Sequence, residues 1–410
     1  MNSERNGTMK LFIINSGSSS IKYQVIEMAT EAVLAAGLVE RIGEESGRLK
    51  NTAFPGTRDE LESVIEQPIP DHYSGMMLVI AALTDKDKGV ICHTSEIDAI
   101  GHRVVHGGED FRGSMRITPA VIAALKNNIP LAPLHNPANL DGIRVAMEIF
   151  PAVPQVAVFD TAFHQTMPPR AYLYAIPYEL YEKDRVRRYG FHGTSHRFVA
   201  GECARLLGKP LPECNLITVH LGNGCSMTAI ENGCSVDTSL GMTPLEGLVM
   251  GTRSGDLDPA MHLFLKQNKG MELEAIDVML NKESGLKGLC GMNDMRDIHQ
   301  AVADGNARAA LALDVQTYRN RKYIGAYMAV LGRVDAIVFT AGIGENDDIV
   351  RAESLKGMEV FGVRIDAEKN AQRSKDARCI STQDSSVQVF VIPTNEELAI
   401  AREVANVIRG

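Results

Sequence analysis

Two segments about half a chain apart repeat one pattern, and that repeat constrains the fold more than any other feature. Residues 11–27 read LFIINSGSSSIKYQVIE and residues 216–232 read LITVHLGNGCSMTAIEN. Each is an apolar strand ending in a polar residue (Asn15, His220), then a loop of small residues and a second strand-like run. In the first loop, Gly17 and the three serines after it let a phosphate approach backbone N–H groups closely. It is neither a P-loop nor a dinucleotide fingerprint, because both of those open a helix and residues 21–26 alternate like a strand. Two such hairpins heading two halves point to a duplicated domain pair closing on one ligand. Two unrelated turns in a chain with 36 glycines would give the same pattern.

At 410 residues the chain exceeds one ordinary core, which also favours two domains. A net charge of −9 argues against nucleic acid or an anionic membrane as the partner, so an anionic small substrate would need local positive charge. The seven cysteines are odd in number and show no CxxC spacing, which fits reduced thiols in a cytoplasm. The opening MNSERNGTMK has no apolar signal core and no run approaches membrane-spanning length, so the expectation is a cytoplasmic protein.

Strand-like runs alternate with amphipathic stretches, which argues α/β. In ITPAVIAALKNNIP, Thr118 caps a helix with Pro119 at its first position. Further helices are expected over residues 196–207, over 259–267 behind Asp258, and over 306–331. A third Gly-rich loop, Gly342, Ile343, Gly344, Glu345 and Asn346, follows the strand VDAIVFTA. The chain closes with a strand and a helix in which Thr394 and Glu397 have capping-box spacing.

Polar clusters crowd short segments where packing does not account for their residue types: GHRVVHGGE (101–109), PLHNPANL (133–140), VAVFDTAFHQT (156–166), RRYGFHGTSH (187–196) and MGTRSGDLDP (250–259). Histidines 102, 106, 135, 192 and 196 fall in three of them, yet none has HExxH or Cys-ligand spacing for zinc. Arg103 and Arg253 suit anion clamps, because a planar guanidinium grips carboxylate or phosphate through two bonds; a lone Arg is more often a surface ion pair. Asp160 ends an apolar run where α/β folds place functional carboxylates, and it equally suits a cap on the following turn.

With NSGSSSIK, HLGNG, GMTPLEGLVM, FTAGIGEN and TNEELAIA added, these motifs resemble the acetokinase family of short-chain carboxylate kinases over nearly the whole chain. The resemblance implies the actin, sugar-kinase and Hsp70 fold: α/β, with duplicated ribonuclease-H-like domains flanking an ATP cleft, here residues 9–160 with 397–410 and residues 161–396. It implies ATP and ADP as co-substrates, Mg²⁺ or Mn²⁺ at Asn15 and Glu396, and Lys22 near the phosphates. Asp160, Arg103, His192 and Arg253 become the implied catalytic set. His220, Leu221, Gly222, Asn223 and Gly224 match the phosphate segment; Asp294, Met295 and Arg296, with residues 342–346, match the adenosine segments. Arg103, Val105, Leu134, His135, Phe191 and Pro244 would form the substrate pocket, and the assembly would be a homodimer.

Acetate is ionised at neutral pH, so its phosphorylation needs no general base; the obstacle is repulsion between two anions. The family also contains propionate-preferring members, in which a smaller residue tends to stand at the Val105 position, so valine favours acetate. An alternative of another class is a nucleotide-gated binding protein like actin or Hsp70, against which stands the surplus of Arg and His. A dehydrogenase is excluded by the lack of a glycine fingerprint opening a helix.

Overall fold

In the computed structural model, which describes residues 9–133 and 135–410, the chain forms two compact units. One runs to Ala162 and takes back Asn395–Gly410; the other is Phe163–Thr394. The first unit holds β1 (Lys10–Ser16), β2 (Ser20–Glu27), β3 (Ala32–Glu40), β4 (Gly47–Ala53), β5 (Leu61–Gln67), β6 (Ala99–Val104), β7 (Met115–Arg116) and β8 (Gln155–Phe159), in the order β5-β4-β3-β2-β1-β6-β8-β7. The second holds β9 (Leu216–Leu221), β10 (Cys225–Glu231), β11 (Cys234–Thr238), β12 (Ala336–Thr340), β13 (Arg378–Cys379) and β14 (Gln388–Val391), in the order β11-β10-β9-β12-β14-β13.

The same five-strand core recurs in both. β1 pairs antiparallel with β2 and parallel with β6, which pairs parallel with β8. β9 pairs antiparallel with β10 and parallel with β12, which pairs parallel with β14. The duplicated α/β fold expected of the actin, sugar-kinase and Hsp70 class is therefore present, and the two hairpins read from sequence are β1–β2 and β9–β10.

Both first strands are buried on both faces, as parallel strands covered by helices must be. Leu11 and Ile13 pack with Ile400 and Val404 of the C-terminal helix Glu396–Arg409, while Phe12 and Ile14 pack with Met76 and Val79 of the helix His72–Leu83. Successive side chains point to opposite faces, so one strand feeds two cores.

Local chemistry sets the helix ends. Thr118 Oγ1 accepts from Val121 N at 3.3 Å, starting Pro119–Asn127. Asn306 accepts from Arg308 N and Ala309 N, starting Ala307–Leu331. The helix behind Asp258 is Ala260–Lys269, with Asp258 Oδ1 accepting from Ala260 N at 2.9 Å.

Three expectations are corrected. The helix placed at 196–207 begins earlier, as Gly193–Leu207, because His192 turns into the left-handed region (φ 56°) and becomes its N-cap. Residues 342–346 are not a loop but lie in the helix Ala341–Asn346, where Asn346 Nδ2 donates to Gly342 O. Thr394 and Glu397 do not form a capping box: Asn395 Oδ1 caps the last helix by accepting from Leu398 N at 3.0 Å. Thr394 instead bonds Ser195, and Glu397 pairs with Lys22.

Gly101 marks the tightest seat of the C-terminal helix on the sheet. A Cβ there would lie 2.6 Å from Val404 Cγ2 and 2.9 Å from Ile13 Cδ1. Gly101→Val should lower stability by about 1–3 kcal/mol through overpacking, read as a fall in melting temperature; Gly113→Ala, with open space around it, should leave the melt unchanged.

Candidate active site

In each unit the parallel strands end together, and the polar residues expected from sequence sit at those ends, where open α/β sheets gather ligands. In the first unit Arg103 is the penultimate residue of β6 and Asp160 follows β8. Arg103 Nε and Nη2 donate to the two Asp160 carboxylate oxygens at 3.1 and 2.6 Å, a fork in which Asp160 is only 2% exposed. Asp160 is thus committed to Arg103 rather than acting only as a turn cap. Glu396, first residue of the C-terminal helix, lies 3.8 Å from Arg103 Nε. Burial works to lower the Arg103 pKa, but the charges of Asp160 and Glu396, the Asp160 hydrogen bond and the charge of Glu397 raise it above its ordinary value. The guanidinium is fixed in its charged form.

A cavity of about 330 Å³ opens beside Arg103, lined also by Asn15, Lys22, Val105 and His135. Asn15 and Lys22 are register partners across β1 and β2, and Lys22 is tethered to Glu397. Leu38, Ala138 and Asn139 line the same cavity, and sequence reasoning missed all three. Asn139 accepts from Val105 N at 3.0 Å and donates to Ser16 O at 2.9 Å, tying the end of β1 to the residue after β6. Its segment, PLHNPANL, was conspicuous, but nothing in it singled out the second Asn. Leu134 lies outside the described residues, while Phe191 and Pro244 belong to the other unit.

Among the described residues, no group of three or more His, Cys, Asp or Glu side chains stands ready for a metal. Asn15 and Glu396 offer oxygen donors, and the Asn15 amide makes no hydrogen bond to the described residues. So small a set suits a hard ion that keeps most of its waters and is shared with phosphate oxygens.

In the second unit the hairpin loop of Gly222, Asn223 and Gly224 is closed by Gly222 N donating to Gly224 O at 3.0 Å. The glycine turn carrying Arg253 docks on it through Gly251 N to Asn223 O at 3.0 Å; a Cβ on Gly251 would sit 2.1 Å from Asn223 Oδ1. A Cβ on Gly224 would lie 3.4 Å from Arg253 Nη1 and 3.5 Å from His192 Nε2, so both groups reach the same side of the loop. Arg253 donates to Pro244 O at 3.1 Å and has no carboxylate partner among the described residues. Burial accordingly lowers its pKa, with only the Cys225 thiol acting the other way. A desolvated cation without a counter-ion is a site for an anion.

His192 stacks on His220 with ring centroids 4.3 Å apart, and each is braced from the other's segment: His192 Nδ1 by Ser226 Oγ at 2.8 Å, His220 Nδ1 by Ser195 Oγ at 2.9 Å. The backbone leading into His192 is held by His164, whose Nε2–H donates to Phe191 O at 3.0 Å. His164 was not foreseen, because a histidine acting on a distant backbone carbonyl leaves no pattern in sequence.

The remaining nucleotide candidates divide. Leu221 is buried in the core and Met295 nearly so. Asp294 caps its helix by accepting from Arg296 N and pairs with the Arg296 side chain at 2.6 Å. His299, in that same helix (Met295–Ala303), bonds Asp347 Oδ2 at 2.6 Å, bringing the Asp294 segment's helix to the end of Gly342–Asn346. Glu345 is spent internally: its Oε1 accepts from Ala341 N and Thr394 N. Behind it the buried Arg351 donates to Gly344 O and Glu345 O, its pKa lowered to about 10 by burial and by the charge of Arg378.

Two α/β units with one repeated core, each with a guanidinium beside its hairpin loop or strand ends, are the build of a phosphotransferase of the actin and sugar-kinase class. The chain belongs to the Acetokinase family, whose sequence pattern it matches over residues 10–402. It is 64% identical to the acetate kinase of Desulfotalea psychrophila, covering 98% of this chain and 100% of that one. The crystal structure of Porphyromonas gingivalis acetate kinase superposes with a TM-score of 0.93 at 46% identity, covering 98% and 100% of the two chains. A propionate kinase from Francisella tularensis superposes at 0.89 with 42% identity over 97% and 99%.

The buried histidines make the fold acid-sensitive. Burial pushes His102 and His164 from 6.5 down to about 4 and depresses His196 as well, so all three are neutral when folded. The unfolded chain takes up their protons first. Stability is therefore full above about pH 6.5 and falls as pH drops toward 4, on the order of 3 kcal/mol for each of His102 and His164, with His196 acting in the same direction. Melting temperature should decline over that window, and its slope should flatten in His102→Gln.

Proposed function

We propose that the protein is an ATP:acetate phosphotransferase, moving the γ-phosphoryl of ATP to acetate to give acetyl phosphate and ADP, reversibly. The observation that carries this reading is Arg253, half-buried and without a carboxylate partner among the described residues, beside His192 and the Gly224 loop: a seat for an anion such as a transferring phosphoryl. Arg103, fully charged and flanked by the apolar side chain of Val105, suits the carboxylate of a small acyl substrate.

Because acetate is already an anion, the residues have no proton to remove; their task is to hold two anions together in line. Arg103 orients the carboxylate, and its own direction is set by the Asp160 fork, which makes Asp160 a positioning residue. Arg253 and the His192 Nε2 edge stabilise charge on the equatorial phosphoryl oxygens, each contact lowering the barrier by about 3–4 kcal/mol. Asn15 and Glu396 would hold Mg²⁺ or Mn²⁺, which when bound neutralises phosphate charge. His220 and the Gly222–Gly224 turn would meet the phosphates, and the Asp294 and Gly342 segments the adenosine. The acceptor set lies in one unit and the phosphoryl set in the other. A cytoplasmic homodimer completes the reading, supported by the more than half-exposed Leu263, Phe264 and Leu273.

With ATP, Mg²⁺ and hydroxylamine, acetate should yield acetohydroxamate. Propionate should react more poorly, and Val105→Ala should move the kcat/KM ratio toward propionate, by up to about tenfold for one methylene's worth of pocket. ATP loss independent of acetate would instead support a nucleotide-gated binding protein. Asp160→Asn should lower kcat by about 10² while leaving the melt near wild type; turnover within a few fold of wild type would remove Asp160 from the mechanism.

A further inference from the structure

Beneath the stacked pair lies a chain of buried hydrogen bonds that the phosphoryl chemistry does not itself require. His192 Nδ1 meets Ser226 Oγ at 2.8 Å, Ser226 Oγ meets His196 Nε2 at 2.7 Å, and His196 Nδ1 meets Thr218 Oγ1 at 2.7 Å. Thr218, His196 and Ser226 are each 0% exposed. We propose that Thr218, His196 and Ser226 form a one-way relay that fixes His192 as a neutral imidazole with its proton on Nε2, the atom facing Gly224 and Arg253.

The direction follows from counting donors. A hydroxyl has one hydrogen and a neutral imidazole has one N–H, so the chain can run in only two senses. In one, Thr218 donates to His196 Nδ1, His196 Nε2–H donates to Ser226, and Ser226 donates to His192 Nδ1. Every hydrogen then has an acceptor. In the other, His196 Nδ1–H donates to Thr218, whose own hydrogen is left buried with no second acceptor among the described residues. A buried unsatisfied hydroxyl loses its hydration with nothing in return. The first sense wins, and it leaves Nδ1 of His192 bare and Nε2 protonated.

The register makes the relay possible. Ser226 lies directly across from His220 in the β9–β10 ladder, and Thr218 is two residues before His220 on the same face. His196 reaches both hydroxyls only because the left-handed turn at His192 starts the helix at Gly193. Burial, with His164 and His220 nearby, holds His196 neutral, as the donor count requires. Protonating His192 at Nδ1 would mean reversing three groups at once, beside the Arg253 cation and against the His220 ring. His192 is thus a fixed donor to a phosphoryl oxygen, neither a base nor a second cation, and the three residues behind it are positioning residues. The catalytic consequence rests on the phosphotransfer reading above; the tautomer does not.

Selective ¹⁵N-histidine labelling of the full-length protein reads the tautomer directly, with the His192 signals assigned by their loss in His192→Asn. In the wild type Nε2 should be protonated and Nδ1 bare. Thr218→Val should let both tautomers appear and lower kcat for acetate phosphorylation about tenfold, the loss expected if the donating form falls to about a tenth of the population. KM for ATP should stay within about twofold, and Thr218→Ser should restore both tautomer and kcat. A wild-type His192 protonated on Nδ1 would overturn the relay without need of any variant, as would a Thr218→Val protein with an unchanged spectrum. The predicted tautomer in a protein that leaves acetate unphosphorylated would uphold the relay and reject the function instead.

Discussion

A strand buried on both faces has no solvent edge along its length, so its polar chemistry can emerge only where it ends. Residues 11–14 and 216–219 are both such strands, each at the centre of a sheet with parallel neighbours on one side and an antiparallel hairpin on the other. The rest of the molecule follows from that constraint. Asn15, Arg103 and Asp160 come together because β1, β6 and β8 stop at one level, and His220 comes to the Gly222–Gly224 turn because β9 ends there. The helices contribute by their N-termini: Gly193–Leu207 presents Ser195 and His196 in its first turn, and Glu396–Arg409 presents Glu396 and Glu397.

The two guanidiniums show how differently one residue type can be prepared. Arg103 is surrounded by carboxylates and gripped by Asp160, so its charge is secure and its direction set before any ligand arrives. Arg253 is desolvated and, among the described residues, bonded to a carbonyl and a thioether sulfur with no carboxylate to compensate its charge. The Arg253 charge is the less offset of the two, because no internal carboxylate among the described residues already balances it. On the proposed phosphotransfer, a pre-oriented fork for a carboxylate and a less compensated cation for a phosphoryl would fit the division of labour that transfer between two anions demands.

Much of this was legible in the sequence. The paired strand–loop–strand segments revealed the duplication, since small residues at a strand end leave a local pattern. Arg103, Asp160, His192 and Arg253 stood out because charged residues among glycines have no packing explanation. The helix over 342–346 was missed because two glycines in five residues look like a loop; Glu345, by accepting from Ala341 N, stabilises the turn from within. The capping assignment at Thr394 failed for a similar reason: Asn395 competes for the same role, and the Thr394 hydroxyl is drawn to Ser195, almost 200 residues earlier.

The sequence by itself determined the family, the duplicated α/β architecture and the residue types available for anion chemistry, because these depend on local periodicity and on ordered motifs. Only the tertiary structure decided which partners those residues find. Asp160 is bound to Arg103, Glu345 is consumed by backbone N–H groups, and the wholly buried His164, His196, Ser226 and Thr218 serve the ring of His192. Such roles depend on which hydrogen-bond partners burial leaves available, and burial is set by contacts between segments far apart in the chain.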